Sequence, residues 1–161
     1  AYQTRAAYEK EQGDAGGLAL LDSVHLEQYA AFGADYQNAD IAADWQKLFE
    51  IRRVVTGALE IQRNAKVIGS SLQAAPTLYA AADLKSVLES RNLADIFITS
   101  GIAVVYADGP EDAFRLEDVE GVSVVFAEAS GEKCDRCWKI LPEVGSNVEH
   151  ATLCIRCADA V

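Results

Sequence analysis

Four cysteines constrain this chain more than any other feature, because all of them lie between positions 134 and 157. They form two C-x2-C pairs, Cys134 with Cys137 and Cys154 with Cys157, and sixteen residues separate the pairs. Each C-x2-C turn can present two thiolates to one edge of a tetrahedral metal site, with the sulfur atoms about 2.3 Å from the ion. The spacing therefore predicts one structural Zn2+ per chain, held by these four cysteines.

Other uses of the cysteines stay open at this point. Disulfides are disfavoured because the chain has no cysteine elsewhere to join, and a redox C-x-x-C motif usually occurs singly beside a strand and a helix. Iron in a rubredoxin-like site has the same ligand type. His150 could replace one cysteine, although four sulfurs already complete a closed site. A closed site offers no position for water, which disfavours hydrolytic metal catalysis.

Composition places the chain among globular proteins of one or two domains, with 50% apolar and 24% charged residues in 161 positions. No run of 18 apolar residues is present to span a bilayer, and the opening "AYQTRAAYEKEQGD" is too polar for the core of a signal peptide. We therefore expect a cytoplasmic protein without membrane contact. Methionine is absent, so we expect either a processed first residue or, as we favour, a piece of a longer polypeptide.

The net charge of -11 limits how this chain can bind nucleic acid. Tight non-specific binding depends on neutralising phosphates with cations, which an acidic protein opposes. The carboxylates are clustered, however, and leave other faces free to be neutral or basic. Any contact with RNA must therefore be local.

The residue patterns predict an α+β fold in four segments. Residues 1–34 read as a connector, residues 35–78 as a helical segment, residues 79–130 as a small α+β segment, and residues 131–161 as a zinc-binding tail. In the third segment "DLKSVLESRN" suits a short helix. The stretches "LADIFITS", "GIAVVYA" and "GVSVVFAEA" are rich in β-branched and aromatic residues, and they predict about three strands.

A long helix is predicted within the second segment. Asp44 can cap its start, and the Gly69-Ser70 pair offers a stop. At 100° per residue, six apolar residues fall within about 120° of one another and predict the buried stripe. These residues are Ile51, Val54, Val55, Ala58, Ile61 and Ala65.

A second face of the same helix mixes cations with aromatic residues. Arg52 and Arg63 are eleven residues apart, so they point the same way, and Lys66, Trp45 and Phe49 are near them. One interpretation is a solvated flank on which arginine stems cover apolar surface. The other is a surface that contacts RNA.

The cysteine tail carries a family resemblance. "KCDRCW", followed by "VGSNVEHATLCIRCADAV", resembles the C-terminal zinc-binding segment of bacterial isoleucyl-tRNA synthetases. "DSVHL" at 22–26, "DWQKLFEIRRVVTGALEIQRNAKVIGSSLQAAPTLY" and "LADIFITS" resemble the anticodon-binding helical domain of the same enzymes and the small module after it. The resemblance covers about residues 22–161. It implies a C-terminal part that binds the anticodon region of isoleucine tRNA, with the remaining synthetase domains in the same polypeptide.

The resemblance also implies which residues approach the RNA. RNA loops are recognised by splaying bases onto aromatic or guanidinium planes and by contacts from cations to the backbone. In this family the Arg-Cys-Trp stretch is expected to approach the anticodon loop, although Trp138 could instead pack over the zinc site as core. The candidate tRNA-binding residues are Arg136, Trp138, Arg52, Arg63 and Lys66.

No catalytic residue is predicted in this chain. A class I synthetase activates its amino acid through a His-Ile-Gly-His-type motif and a Lys-Met-Ser-Lys-Ser-type loop, whereas the only histidines here are His25 and His150. The chain is thus expected to be part of an ATP-dependent isoleucine–tRNA ligase and to be inactive alone. The alternative function is a zinc-stabilised protein–protein interaction module, whose binding would survive moderate salt.

Overall fold

The computed structural model describes residue 33, residues 36–89 and residues 91–161. Apart from residue 33, the predicted connector over 1–34, with His25 and the "DSVHL" stretch, lies outside the described residues. The helices are α1 (Ala39–Asn64), α2 (Lys85–Glu89), α3 (Leu93–Ile96) and α4 (Ile155–Ala158). The strands are β1 (Thr77–Ala80), β2 (Ala103–Val105), β3 (Val122–Val125), β4 (Glu132–Lys133) and β5 (Ile140–Leu141). The predicted α+β class with a four-cysteine knuckle is confirmed.

Helix α1 begins earlier than Asp44. Asn38 is its cap, and its Oδ1 accepts a hydrogen bond from the backbone N of Ile41 at 3.0 Å. The prediction of a start at Asp44 is wrong because an asparagine cap and alanine-rich first turns extend the helix toward the N-terminus. Asp44 lies inside the helix, where it accepts a hydrogen bond from Arg91 Nη2 at 3.1 Å.

Helix α1 also ends before the predicted stop. It ends at Asn64, and Lys66 adopts a left-handed backbone conformation with φ of 59°. Ser70 instead caps the next element, a 3-10 turn at Ser71–Gln73. There the Gln73 side chain accepts a hydrogen bond from Ser70 N at 2.9 Å, which completes a capping box.

The buried stripe of α1 is rotated relative to the predicted one. The buried residues of the helix are Leu48, Ile51, Val54, Val55, Ala58 and Leu59. On a helical wheel they span about 140° from Val54 to Leu59, and Ile61 lies about 20° beyond the Val54 edge. Ile61 is accordingly 50% exposed, and Ala65 lies exposed beyond the end of the helix. The prediction is therefore wrong at Ile61, because packing against β3 and α2 buries the Leu48 and Leu59 side of the stripe, and wrong at Ala65, because the helix has ended there.

Strands β1, β2 and β3 form a mixed sheet in the order β2-β1-β3. Strand β1 pairs parallel with β2 and antiparallel with β3, so that Thr77 faces both Ala103 and Val125. The predicted strands in "GIAVVYA" and "GVSVVFAEA" are confirmed. The strand predicted in "LADIFITS" is wrong, because Leu93–Ile96 is a helical turn capped by Asn92. The central strand is "TLYA", a run too short for its pattern to separate strand from other structure.

Helix α1 packs on this sheet in one apolar cluster that also includes buried residues of α2 and α3. Gly57 permits the contact, since a Cβ atom there would lie 2.7 Å from two ring atoms of Phe114. Residues 38–161 form one compact unit, and the subdivision near residues 78 and 130 stays a prediction. Within the described residues, no helix has both the length and the apolar character needed to cross a bilayer.

Candidate metal centre

A short hairpin and a helical turn carry the four cysteines. Strands β4 and β5 pair antiparallel, and the first C-x2-C pair lies in the connection between them. The second pair begins α4, with Cys154 at its cap and Cys157 inside its single turn. Gly131 leads into β4 with φ of 115°, and a Cβ atom there would collide with the backbone of Leu141. Only glycine fits this position without strain.

The structure brings the four predicted ligands together. Their Sγ atoms all lie within 4.8 Å of one another, and those of Cys137 and Cys154 are 3.8 Å apart. Sulfur atoms placed tetrahedrally 2.3 Å from a zinc ion are about 3.8 Å apart, so the cluster fits this ion. Cys134, Cys154 and Cys157 are buried, whereas Cys137 is half-buried. The four thiolates would hold the metal as a closed structural site without an open position.

Backbone groups prepare Cys134 for this role. Burial alone raises the pKa of its thiol, but hydrogen bonds from the backbone N–H groups of Cys137, Cys154 and Arg136 outweigh that effect and lower the pKa to about 6. At Cys157 the net shift is the opposite one, because burial and the neighbouring thiols together raise the pKa to about 12. Four thiolates this close repel one another, so a bound cation is needed to keep all of them ionised.

A disulfide and a histidine ligand fit this geometry less well. The 3.8 Å separation of the Cys137 and Cys154 sulfur atoms is far longer than the bond of about 2.05 Å in a disulfide. Among the residues that the structure describes, the ligand cluster contains the four cysteines and no histidine. The backbone N of His150 donates to the Asn147 side chain at 3.2 Å. His150 therefore belongs to the loop between the two pairs.

Trp138 follows the first cysteine pair and faces solvent. Its side chain is 61% exposed, so the alternative in which it packs over the zinc site as core is wrong. Its backbone N donates to Cys134 O at 2.8 Å, and its ring Nε1 donates to Asp135 O at 3.2 Å. The Nζ of Lys133 lies 5.3 Å from the ring centroid. The indole is thus oriented by the cysteine turn on which it sits.

Trp138 also has an unusual backbone. Its φ of 65° lies in the left-handed region, which costs about 1 to 2 kcal/mol for a residue with a Cβ atom. Glycine adopts this conformation without that cost. A bulky aromatic residue at such a position makes Trp138 a candidate for a functional role, since strain of this kind is enriched at functional sites.

Arg136 joins the two halves of the cysteine-bearing region at residues 131–160, hereafter the finger. Its Nη1 donates to Cys157 O at 3.2 Å, so it links the first cysteine turn to the end of α4. The residue is otherwise exposed. Of the candidate tRNA-binding residues, Arg136 and Trp138 therefore lie together beside the metal ligands.

The three candidate cations of the long helix lie elsewhere. Arg52 is half-buried, Arg63 forms an ion pair with Glu60, and Lys66 is exposed just after the helix end. No hydrogen bond or ion pair among the described residues connects them to the finger. The structure thus does not bring the two predicted groups of cations into one cluster.

The contacts between the finger and the sheet unit, which comprises residues 39–129, were missed from the sequence. Lys139 Nζ donates to Asp95 in α3, and Arg156 Nη1 lies 3.9 Å from the same carboxylate. The hydrogen bond from Lys139 is the largest of the effects that lower the pKa of Asp95. Buried Ser100 accepts a hydrogen bond from Ile140 N at 2.7 Å and donates to Leu72 O. No local pattern marks these residues, because their partners lie at least 28 positions away.

Comparison with known proteins agrees with this geometry. A family model described as "Zinc finger found in FPG and IleRS" matches residues 131–160. The fit of the four sulfurs and this match together give the chain one structural zinc site.

Longer matches extend over most of the chain. The isoleucine–tRNA ligase of Agrobacterium fabrum is 44% identical over 141 residues, which are 87% of this chain and 15% of that protein. The ligases of Brucella abortus and Ruegeria pomeroyi are 46% and 47% identical over 140 residues, which are 86% of this chain and 14% of each protein. The chain thus spans about one seventh of the length of these relatives.

Proposed function

Because the chain belongs, as a segment, to the isoleucine–tRNA ligase family, we propose that it is the C-terminal tRNA-binding part of such a ligase. It contacts the anticodon region of isoleucine tRNA in the cytoplasm, while the remaining ligase domains of the same polypeptide perform the aminoacylation. The observation that carries this proposal is the exposed, oriented indole of Trp138 on the turn of a zinc ligand.

An exposed aromatic ring on a rigid turn is suited to an unpaired base. Proteins recognise single-stranded RNA loops by stacking bases on aromatic side chains, and each such stack contributes about 1 to 3 kcal/mol. The ring of Trp138 is held by its own Nε1 hydrogen bond and by a turn that the metal would stiffen. A base therefore meets a surface that loses little freedom on binding.

The charge distribution supports a local contact at the finger. Residues 131–161 carry four Lys and Arg against five Asp and Glu, whereas residues 1–130 carry ten against twenty. The finger is thus close to charge balance, whereas residues 1–130 taken together are strongly acidic. Binding there depends on stacking and a few placed cations rather than on the charge of the whole chain.

The test compares three substitutions of Trp138 in the zinc-loaded chain. Trp138→Ala removes the ring, Trp138→Phe keeps a stacking surface, and Trp138→Gly removes the ring while relieving the left-handed φ. We expect the alanine and glycine variants to lose about 1 to 3 kcal/mol of affinity for isoleucine tRNA, measured by fluorescence anisotropy, and the phenylalanine variant to keep most of it. Zinc content and circular dichroism of each variant must match the parent. Unchanged tRNA affinity in a folded glycine variant would falsify the stacking role.

We also propose that Arg52 and Arg63 in α1, and Lys66 just after it, contact tRNA phosphates. Arg52 and Lys66 make no ion pair with any described residue, whereas Arg63 would first have to leave Glu60. Neutralising a cation that contacts a phosphate should lower the salt slope of tRNA binding by about 0.7 to 0.9. The expected effect is thus clearer for Arg52→Gln than for Arg63→Gln.

The ligase chemistry itself is assigned to the rest of the polypeptide. This chain alone should form no adenylate from isoleucine and ATP, because neither signature motif of a class I synthetase occurs in its sequence. Isoleucine-dependent exchange of pyrophosphate into ATP measures this directly. A rate comparable to that of a complete ligase, after removal of host enzyme, would overturn this assignment.

An exposed apolar stripe on α1 supports a second partner. Ile41 and Phe49 are each 50% exposed and Trp45 is 37% exposed, at a spacing of four residues that places them on one side of the helix. The relatives are about seven times as long as this chain, so the remainder of a ligase polypeptide is the partner we propose for the stripe. Phe49→Ser should weaken binding of a ligase that lacks this segment, and the binding should persist in moderate salt.

A further inference from the structure

We propose that Lys133 binds a backbone phosphate next to the nucleotide whose base stacks on Trp138, so that the two residues form one base-and-phosphate subsite for single-stranded RNA. This inference rests on the proposed tRNA contact and adds a residue to it. It concerns Lys133, which begins the "KCDRCW" stretch but is not among the candidate tRNA-binding residues predicted from the sequence.

The geometry places the ammonium group beside the ring. Lys133 is the last residue of β4, directly before Cys134, and it pairs with Ile140 across the hairpin. Its Nζ lies 5.3 Å from the centroid of the Trp138 ring. A contact of this kind at an exposed site is worth about 0.5 to 1 kcal/mol, which orients the lysine without neutralising it.

The other cations of the finger already have polar partners. Lys139 and Arg156 both face Asp95, and Arg136 donates to Cys157 O. The Lys133 side chain, by contrast, makes no hydrogen bond or ion pair with any residue that the structure describes. Its three N–H donors are therefore available to a phosphate. A strand that stacks one base on the indole brings its next phosphates past this ammonium group.

The chain contains a second lysine over an aromatic ring, and the contrast is informative. Lys85 Nζ lies 5.5 Å from the Tyr106 centroid, a similar geometry. Glu89 lies 3.5 Å from the same Nζ and balances its charge, and Tyr106 is half-buried. Lys85 thus offers a control with the same type of ring contact, in which the aromatic ring is less exposed and the ammonium group already has an acidic partner.

The first experiment measures the salt dependence of tRNA binding by the zinc-loaded chain. Lys133→Gln removes the charge and keeps most of the stem, Lys133→Arg restores the charge, and Lys85→Gln is the control. A phosphate contact on a single strand contributes about 0.7 to the slope of log affinity against log salt. Lys133→Gln should therefore bind isoleucine tRNA about fivefold more weakly at 0.1 M salt and approach the parent near 1 M. The Lys133→Arg and Lys85→Gln variants should keep the parental slope.

The second experiment locates the phosphate. An anticodon stem-loop RNA carries one uncharged methylphosphonate linkage at each loop position in turn, and a parallel set carries one abasic nucleotide. We expect one uncharged linkage to weaken binding of the parent but not of Lys133→Gln. We expect one neighbouring abasic nucleotide to weaken binding of the parent but not of Trp138→Ala. Such a pair of adjacent positions would establish the subsite.

Several outcomes would overturn the inference and separate it from the broader proposal. If Trp138→Ala weakens binding while Lys133→Gln keeps the parental affinity and slope, Lys133 does not contact phosphate, and the tRNA contact of the finger stands. A loss in Lys133→Gln that is equal at all salt concentrations would make Lys133 a packing residue. If the parent does not bind isoleucine tRNA or the stem-loop, both the proposed function and this inference are wrong.

Discussion

The sheet unit (residues 39–129) and the zinc finger (residues 131–160) are stabilised in different ways. In the sheet unit, α1 and the three strands bury a continuous apolar cluster that extends to α2 and α3. In the finger, the buried cluster consists of Cys134, Cys154 and Cys157, and the apolar residues around it are only partly buried. Burial of apolar surface can stabilise the first region by itself, whereas the second requires a metal ion. One chain thus contains a region that folds by packing and a region that folds by coordination.

The largest expected effect separates these regions by removing the metal. Apparent zinc-binding free energies in small fingers are about 10 to 16 kcal/mol at pH 7, so a strong chelator should unfold residues 131–160. Helix α1 should survive, because its buried stripe makes no use of the metal. Hydrogen exchange followed by mass spectrometry measures both regions in one sample. Finger amides that stay protected after the zinc has left would show that packing alone folds the finger.

The converse change weakens the sheet unit and spares the metal. Leu59 is 1% exposed, and Leu59→Ala should lower the free energy of unfolding of the sheet unit by about 2 to 5 kcal/mol. Ile61→Ala is the matched control, since Ile61 is 50% exposed and should change stability far less. Urea unfolding followed at 222 nm gives both values, and zinc content should remain one per chain. Equal losses in the two variants would contradict the observed orientation of the helix.

A smaller effect is expected where the two regions meet. Ser100→Ala removes the acceptor of Ile140 N–H and the donor to Leu72 O, and should cost about 1 to 3 kcal/mol because these groups lose their partner at a buried site. Faster hydrogen exchange should appear at the Ile140 amide while zinc stays bound. Ser146→Ala, which removes an exposed hydrogen bond to Glu143 O, is the control and should change neither measurement. If both variants behave like the parent, Asp95 and its two cations are sufficient to hold the finger in place.

The smallest effect concerns pH. The hydrogen bond from Arg53 Nη2 to Asp118 at 2.8 Å is the largest of the effects that lower the pKa of that carboxyl group. A lowered pKa in the folded state means that the ion pair stabilises the fold above the unfolded value of about 3.9, and that this stability is lost as the pH falls through the folded pKa. Asp118→Asn should therefore be less stable than the parent at pH 7 and should converge with it once the pH falls below the lowered pKa of Asp118.

The pH experiment has a control variant in the sheet unit and a second measurement, zinc release, in the finger. Glu117→Gln is the control, because Glu117 makes no ion pair with any described residue. Zinc should leave the finger at a higher pH than the one at which Asp118 titrates, since the metal requires deprotonated thiols. If the difference in unfolding free energy between the parent and Asp118→Asn is the same at pH 7 and at pH 2, the ion pair is not its cause.

The metal centre was predictable from the sequence because its information is local. A spacing of two residues between paired cysteines favours a turn that brings their two sulfur atoms together. The only further requirement is that the segment between the pairs folds back, so that the second pair meets the first. Strands β2 and β3 were predictable for a similar reason, since β-branched runs bounded by turn residues have few other structures available.

The short central elements were not predictable in this way. "TLYA" becomes the middle strand because β2 and β3 pair with both of its edges, and "LADI" becomes a helical turn because Asn92 caps it. Both stretches are four residues long, and a run of that length is compatible with either structure. For "TLYA" the choice depends on strands that lie far away in sequence, whereas for "LADI" the deciding cap is the adjacent Asn92.

The sequence by itself determined that this chain holds one four-cysteine zinc site, a long amphipathic helix and a small sheet, because each of these follows from residue spacing and periodicity. Only the tertiary structure decided that Ile61 faces solvent, that Trp138 is exposed under Lys133, and that Ser100 joins the finger to the sheet unit. The physical reason is that exposure and hydrogen-bond partners depend on which surfaces meet in space. Spacing along the chain specifies which side chains share a face, but it does not specify what covers that face.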